Sequence, residues 1–314
     1  MLHPQTRALL DLMEQAGRPP LHMLSPIAAR AAVGEMRDAL QPAPPAVGQV
    51  RDLSAMGPLG RIPVRLYRPF RSDPAALLPI LVYFHGGGWV IGDLESHDGL
   101  CRELANWAEC AVLAVDYRMG PEHRFPAAVT DCVAATRWVH DHADELRVDA
   151  ARVAVGGDSA GGNLAAVVAI AARDSADMPI VFQLLIYPAT DQHCATASHV
   201  EHAEGYFLTR ETMEYFIGHY IDDRAAYDDW RASPLVHSDL SRLPPALVLT
   251  AGFDPLRDEG AAYAQRLTDA GTRASYVCFS RQIHGFMLMA KVIDEAHTAI
   301  ALCAAELRRA FAVA

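Results

Sequence analysis

Apolar residues along this chain occur in short runs that alternate with longer amphipathic stretches. Two near-continuous apolar runs, 79–85 and 111–117, predict strands that are buried on both faces of a sheet. The intervening and following stretches, 100–109 and 126–142, predict helices. The same alternation continues with strands predicted at 152–156, 180–187, 246–252 and 274–279 and helices at 164–173, 260–270 and 293–312. Strands and helices in this order predict an α/β fold with a mostly parallel sheet covered on both faces.

Two parts of the chain depart from this alternation. Residues 1–45 predict amphipathic helices interrupted by prolines, and they are followed by two strands at 51–56 and 62–69. The second strand alternates Val64 and Leu66 with arginines, which suits an antiparallel hairpin at the edge of the sheet. Residues 193–231 are polar and helix-prone without a clear strand, so they are interpreted as an insertion.

Composition narrows the class of protein. The 314 residues can hold one large α/β domain or two smaller ones, and 51% apolar residues can build a sizeable core. A formal net charge of −11 without a basic run argues against a nucleic-acid partner or an anionic membrane surface. The six scattered cysteines predict buried free thiols in a reducing compartment. Neither a signal peptide nor a stretch of roughly 18 apolar residues is found, so a cytoplasmic protein without membrane insertion is expected.

The first candidate catalytic residue is Ser159. An apolar run ends there in Gly157-Asp-Ser-Ala-Gly161, and a helix-prone run follows. The pattern Gly-x-Ser-x-Gly between a strand and a helix predicts a sharp, strained turn that exposes the serine hydroxyl. The flanking glycines leave room for that turn. The pattern alone also fits an ordinary glycine-rich strand–helix turn, so its partners decide the interpretation.

A second pattern, His85-Gly-Gly-Gly-Trp89, directly follows the buried strand 79–85. Consecutive glycines are interpreted either as a flexible loop or as a backbone that lets amides point at one oxygen. Beside a serine nucleophile, such a loop would form an oxyanion hole. The predicted donors are the N–H groups of Gly87, Gly88 and Ala160.

A serine nucleophile needs a histidine base and an acid that orients it, in the chain order Ser, Asp, His on an α/β-hydrolase fold. Asp254 follows the predicted strand 246–252, and Asp258 is interpreted instead as a helix cap or a supporting group. Among 14 histidines, His284 is the candidate base because it lies in a loop between the last strand and the last helix. A further polar cluster has spacing that fits no standard zinc site, so no metal is predicted; it contains His193, Cys194, His199 and His202.

These motifs together closely resemble the hormone-sensitive-lipase-like esterases, the bacterial family IV carboxylesterases, and among them the Gly-Asp-Ser-Ala-Gly branch. The resemblance spans roughly residues 51–290, and Met119-Gly120 departs from the Leu-Ala that is usual in the family. The matching segments are His85–Trp89, Asp116-Tyr-Arg118, Pro121-Glu-His123, Phe125-Pro-Ala-Ala128, Gly157–Asn163, Leu185-Ile-Tyr-Pro188, Asp254-Pro-Leu-Arg-Asp-Glu259 and His284-Gly-Phe286.

The resemblance implies an α/β-hydrolase fold with an eight-stranded sheet and a catalytic triad of Ser159, Asp254 and His284. It implies a catalytic domain of residues 51–189 and 232–314, with a helical cap formed by residues 1–50 and the insertion 190–231. It also implies short- to medium-chain carboxylic esters as substrates, no cofactor, and a possible homodimer. Cap residues that line the acyl pocket, or alternatively form plain cap core, are Tyr206, Phe207, Leu208, Met213 and Phe216.

Two alternatives stay open at this stage. The same triad chemistry could serve a lactonase, an amidase or a peptidase, since specificity depends on the shape of the pocket. A non-catalytic ligand-binding protein on the same fold is disfavoured by His284, the base that such a protein could dispense with.

Overall fold

The chain forms a single eight-stranded sheet, seen in a computed structural model that describes residues 1–313. The strands are β1 (Gln49–Gly57), β2 (Gly60–Arg68), β3 (Leu78–Phe84), β4 (Ala111–Val115), β5 (Val148–Asp158), β6 (Phe182–Ile186), β7 (Ala246–Phe253) and β8 (Ala274–Ile283). Their order across the sheet is β1-β2-β4-β3-β5-β6-β7-β8. β2 pairs antiparallel with β1 and β4, and every other neighbouring pair is parallel. The predicted mostly parallel sheet is therefore confirmed.

Helices cover both faces of this sheet. They are α1 (Pro4–Ala16), α2 (Pro26–Leu40), α3 (Asp98–Ala108), α4 (Ala127–Asp141), α5 (Ala143–Leu146), α6 (Ala160–Ser175), α7 (Ala197–Glu201), α8 (Arg210–Tyr220), α9 (Arg257–Asp269) and α10 (Glu295–Ala312). The alternation of side chains along β3 divides the core in two. Val82 and Phe84 pack in the cluster that contains α4, α6 and α9, whereas Leu81 and Tyr83 pack in the cluster of α3 and α10.

The edge hairpin forms as predicted, with Val64 and Leu66 of β2 fully buried. β5 and β8 are longer than the sequence predicts. β5 begins at Val148, which pairs with Leu78 before a register shift, and β8 continues to Ile283, which pairs with Phe253 of β7. The additional residues mix polar with apolar side chains and exposed with buried positions, so they form no apolar run; their strand structure comes from pairing with a neighbour.

The amino-terminal helices and the insertion, the two parts of the chain outside the strand–helix alternation, contact each other. Residues 193–231 form α7, α8 and a 3-10 turn at Arg224–Asp228 and contain no strand, as predicted. Phe216 of α8 packs in one apolar cluster with Ala29 of α2, Val90 and Ile91. This cluster joins the amino-terminal helices to the insertion above the segment that follows β3.

Three further features of the chain bear on the predictions. No helix within residues 1–313 is both long and apolar enough to cross a membrane. All six cysteines are free thiols, as predicted. Four are buried, but Cys194 and Cys278 are only partly buried, so the expected burial is wrong for these two.

Candidate active site

Ser159 stands between the end of β5 and the start of α6 in a strained backbone conformation, with φ 55° and ψ −117°. This is the sharp turn that the glycine pattern predicts. A Cβ atom at Gly157 would lie 2.3 Å from the carbonyl oxygen of Phe84, and one at Gly161 would lie 1.8 Å from the same oxygen. Both glycines are therefore required because the turn packs directly on the backbone at the end of β3.

The structure brings Asp254 and His284 to Ser159. Asp254 follows β7 and is fully buried, and its Oδ1 accepts a hydrogen bond from the Leu256 N–H at 2.9 Å. Its Oδ2 lies 2.8 Å from His284 Nδ1, and His284 Nε2 lies 2.9 Å from Ser159 Oγ. When Nδ1–H donates to the carboxylate, Nε2 is left to accept the serine proton. The arrangement can therefore activate the hydroxyl as a nucleophile.

Asp258, the competing acid, does not reach His284. It lies inside the first turn of α9, whose N-cap position is Leu256, so of the two expected roles, helix cap or supporting group, the structure shows the second. Its carboxylate accepts hydrogen bonds from Arg257 and from the Ser198 N–H of α7 at 2.7 and 2.9 Å. Asp258 therefore ties the insertion to the loop that carries Asp254.

The glycine loop adopts a backbone that glycine favours. Gly87 and Gly88 have φ 117° and φ 60°, and a Cβ at Gly88 would lie 2.3 Å from the ring of Phe216. The Gly87 carbonyl accepts the N–H groups of Val90 and Ile91. Within residues 1–313 no acceptor takes the N–H of Gly87 or Gly88. Ala160 is the first residue of α6, where an N–H has no partner inside the helix.

His85, the first residue of the glycine loop, is buried against Tyr117. Its ring stacks on Tyr117 with centroids 4.3 Å apart, and the Tyr117 hydroxyl donates to the His85 carbonyl at 2.7 Å. Burial, and secondarily the nearby His97, lowers the pKa of His85 to about 4. His85 is therefore neutral at physiological pH, and it is positioned to support the loop and not to exchange protons with substrate.

The five predicted pocket residues fall into two groups. Phe216 lies over Gly88, and Phe207, which is 38% exposed, is the nearest side chain to Gly285, next to the predicted base. Leu208 and Met213 instead pack against Leu256 in a small buried cluster. Tyr206 packs between His202 and Phe253. Only Phe207 and Phe216 therefore contact the glycine positions next to the candidate catalytic residues.

Several contacts around the site have no obvious signal in the sequence. The ring of Tyr187, which follows β6, lies with its centroid 4.8 Å from that of His284. Asn163 Nδ2 donates to the carbonyls of Ala189 and Ala232 and joins the two ends of the insertion. Glu259 is fully buried, accepts the Thr190 N–H, and lies 3.0 Å from His199 Nε2. The motif segments mark the positions of Tyr187, Asn163 and Glu259 but not their partners.

The polar cluster of the insertion is dispersed among other partners. His193 contacts Asp191 and Asp228, His199 contacts Glu259, and His202 accepts a hydrogen bond from Arg257. In the described chain, no three histidine, cysteine or acidic side chains lie close enough together to hold a metal ion.

Comparison with known proteins adds evidence of family and activity. Residues 81–288 match the model of a family described as having the alpha/beta hydrolase fold. A carboxylic ester hydrolase, LipN, of Mycobacterium tuberculosis is 46% identical and covers 83% of this chain and 70% of its own. An ethyl acetate hydrolase of Pseudomonas putida is 41% identical and covers 94% and 95%.

Solved structures give the same result. The ester hydrolase EH1AB1 from the metagenome of Lake Arreo, in complex with a bipyridine phosphonate derivative, superimposes with a TM-score of 0.96. It is 47% identical, and the match covers 99% of this chain and 100% of that one. An esterase from Pyrobaculum calidifontis superimposes with a TM-score of 0.91 at 40% identity and covers both chains completely.

Proposed function

Since this chain belongs to the alpha/beta hydrolase fold family, we propose that it is a serine carboxylesterase that forms an acyl-enzyme on Ser159. The observation that carries the proposal is the hydrogen-bonded series from Asp254 through His284 to Ser159, with distances of 2.8 and 2.9 Å. The activities named for the similar proteins, among them hydrolysis of a small ester, support the same reaction class.

In this proposal Ser159 Oγ attacks the ester carbonyl while His284 Nε2 takes its proton. Asp254 orients the ring through Nδ1 and stabilises the imidazolium that forms. The carbonyl oxygen becomes negatively charged and is stabilised by the N–H groups of Gly87, Gly88 and Ala160. His284 then protonates the leaving alcohol. A water molecule that His284 activates hydrolyses the acyl-enzyme and regenerates the serine.

We propose that the amino-terminal helices and the insertion 190–231 form the cap over this site, with residues 51–189 and 232–314 as the catalytic domain. Phe216 over Gly88 and Phe207 near Gly285 support short- to medium-chain acyl groups, because aromatic rings beside the glycine positions limit the available space. The chemistry needs no metal or organic cofactor, since every proton transfer uses side chains of this chain. A homodimer and a cytoplasmic location stay predictions from the sequence.

The test replaces the nucleophile and keeps its helix. Ser159→Ala should lower kcat for p-nitrophenyl acetate by about 10⁶-fold, the scale seen when a triad serine is removed. Ser175→Ala is the matched control because this serine lies at the other end of α6, far along the chain from the triad, and donates to the Ala172 carbonyl. The kcat of this variant should be unchanged.

The same assay extends to a series of acyl chains, a lactone and an anilide. Faster turnover of acetyl and butyryl esters than of the lactone, the anilide or long-chain esters is the expected outcome. A Ser159→Ala variant that still turns over p-nitrophenyl acetate would refute the nucleophile assignment, and a preference for the lactone or the anilide would refute the carboxylesterase assignment.

A further inference from the structure

The carboxylate of Asp158, the residue before the proposed nucleophile, is buried beneath the glycine loop. It is 2% exposed. Its Oδ1 accepts the Tyr83 hydroxyl at 2.8 Å and the Gly86 N–H at 3.0 Å. A Cβ atom at Gly86 would lie 2.3 Å from Asp158 Oδ2. The absence of a side chain at Gly86 therefore lets the carboxylate reach the first amide of the loop.

The same carboxylate is linked to the far end of the loop. His97 Nε2 lies 3.2 Å from Asp158 Oδ1, and His97 Nδ1 lies 3.0 Å from Ser96 Oγ. Ser96 and Asp93 in turn exchange hydrogen bonds: the Asp93 N–H donates to Ser96 Oγ at 2.9 Å and the Ser96 N–H to Asp93 Oδ1 at 2.7 Å. Asp158 thus contacts the loop at Gly86 and, through His97, at residues 93–97.

The electrostatics favour a charged carboxylate at this buried position. Burial alone would raise the pKa of Asp158, but His97 and the Tyr83 hydroxyl outweigh it and hold the pKa below its usual value. A buried carboxylate that accepts several hydrogen bonds is a rigid anchor, since losing any of them leaves a polar group unsatisfied.

We propose that Asp158 and His97 are positioning residues for the oxyanion hole: the carboxylate fixes Gly86, and His97 fixes the segment 93–97, so that the amides of Gly87 and Gly88 keep their orientation. Neither side chain touches the substrate. The inference rests on the proposed esterase function, and it explains why an aspartate stands next to the serine, where the turn itself requires only small neighbours at residues 157 and 161.

The consequence is specific to the transition state. Donors in an oxyanion hole act on the charge that develops during the reaction, so a disordered loop lowers kcat and kcat/KM together and leaves KM nearly unchanged. A misplacement of about 1 Å at a catalytic group can cost about 10²-fold in rate.

The experiment compares Asp158→Ala, Asp158→Asn and His97→Gln with the wild-type enzyme and with Asp149→Asn. Asp149 is a matched control because it lies at the other end of β5 and also accepts a backbone N–H, from Ala151, and pairs with Arg152. For each protein, kcat and KM are measured with p-nitrophenyl acetate. The inhibition constant of an alkyl trifluoromethyl ketone, which forms a tetrahedral adduct with a serine, is also measured. Amide exchange of residues 86–97 is followed by mass spectrometry.

We expect Asp158→Ala to lower kcat by about 10²-fold, with KM changed less than about threefold. The inhibition constant of the ketone should rise in proportion to the loss of kcat/KM, and exchange at 86–97 should accelerate. Asp158→Asn retains an acceptor for Gly86 and Tyr83, so its kcat should stay close to that of the wild-type enzyme. The kcat of His97→Gln should lie between those of Asp158→Ala and Asp158→Asn.

Asp158→Ala with wild-type kcat would overturn the proposal, as would a loss of kcat without weaker ketone binding or faster exchange. If Asp158→Ala does not fold, Asp158→Asn and His97→Gln are compared with the wild-type enzyme instead. Wild-type kcat together with wild-type amide exchange in both variants would overturn the proposal. Failure of the esterase function is distinguished by Ser159→Ala: turnover that survives without the serine refutes the nucleophile. The exchange experiment needs no turnover and still decides whether Asp158 holds the loop.

Discussion

The glycines around Ser159 show how single residues decide the geometry of this site. Gly157 and Gly161 approach the Phe84 carbonyl oxygen so closely that no Cβ atom fits, and this approach places the first turn of α6 against the glycine loop. Gly88 meets the ring of Phe216 in the same way. Each of these glycines is needed for close packing, and its substitution tests that packing directly.

Gly161→Ala should lower the free energy of unfolding by about 3 kcal/mol or more, because the new methyl group overlaps a backbone oxygen that cannot move alone. Gly218→Ala in α8 is the control, since no atom lies within 4 Å of the position of its Cβ. That substitution should raise the free energy of unfolding by about 0.5–1 kcal/mol through helix propensity. Urea unfolding measures both, and equal effects of the two substitutions would contradict the packing argument.

At the scale of elements, hydrogen bonds from Arg30 hold α2 against the segment that follows the glycine run. Arg30 donates from Nε to the Val90 carbonyl and from Nη2 to the Gly120 carbonyl, each at 2.8 Å, and pairs with Glu122. The Gly120 N–H donates to the Trp89 carbonyl at 2.8 Å. One guanidinium therefore joins α2 both to the segment that follows the glycine run and to the loop that follows β4.

Arg30→Met should lower the free energy of unfolding by about 2–3 kcal/mol, because it leaves two carbonyls and a carboxylate without their charged donor. Arg37→Met on the same helix removes exposed pairs with Asp38 and Glu95 and should cost less than about 0.5 kcal/mol. Urea unfolding and the rate of proteolysis within residues 1–48 measure the difference. Equal costs would show that Arg30 does not fasten α2.

For the whole molecule, the stability should depend on pH through Asp116, which follows β4. Its carboxylate borders a cavity of about 480 Å³ that is lined also by Asp93, Glu95 and Glu122 but by none of the proposed triad residues. Burial, and secondarily repulsion from Asp93, raises the pKa of Asp116 to about 6. The folded protein therefore holds this proton more tightly than the unfolded chain does.

A raised pKa makes the folded state lose stability as pH increases from about 4 to about 6. Asp116→Asn removes this loss. The variant should match the wild-type free energy of unfolding near pH 3.5 and exceed it by about 1–3 kcal/mol above pH 7.

The control for this pH dependence is Asp149→Asn, which should behave oppositely. Arg152 and the Ala151 N–H hold the pKa of Asp149 below its usual value, so its contribution is present at neutral pH and lost in acid. Denaturant unfolding between pH 3.5 and 8 measures both variants. A difference for Asp116→Asn that does not change with pH would contradict the assignment.

The sequence by itself determined those features that depend on the chain within a few residues. The pattern of apolar residues predicted six of the eight strands close to their observed positions, and the glycines around Ser159 predicted its strained turn. Asp254 and His284 could be chosen because each follows a predicted strand and the order along the chain suits the proposed triad. These features depend on the residue types within a few positions of each other, so they can be recognised in the sequence.

Only the tertiary structure decided which distant groups meet. Asp158 binds the amide of a residue 72 positions earlier in the chain, and Arg30 reaches Gly120, which is 90 positions later. Phe216 closes over Gly88, and polar residues extend β8 to Ile283 because β7 offers them a partner. No neighbouring residue constrains these contacts; they arise from the packing of strands and helices that are far apart along the chain.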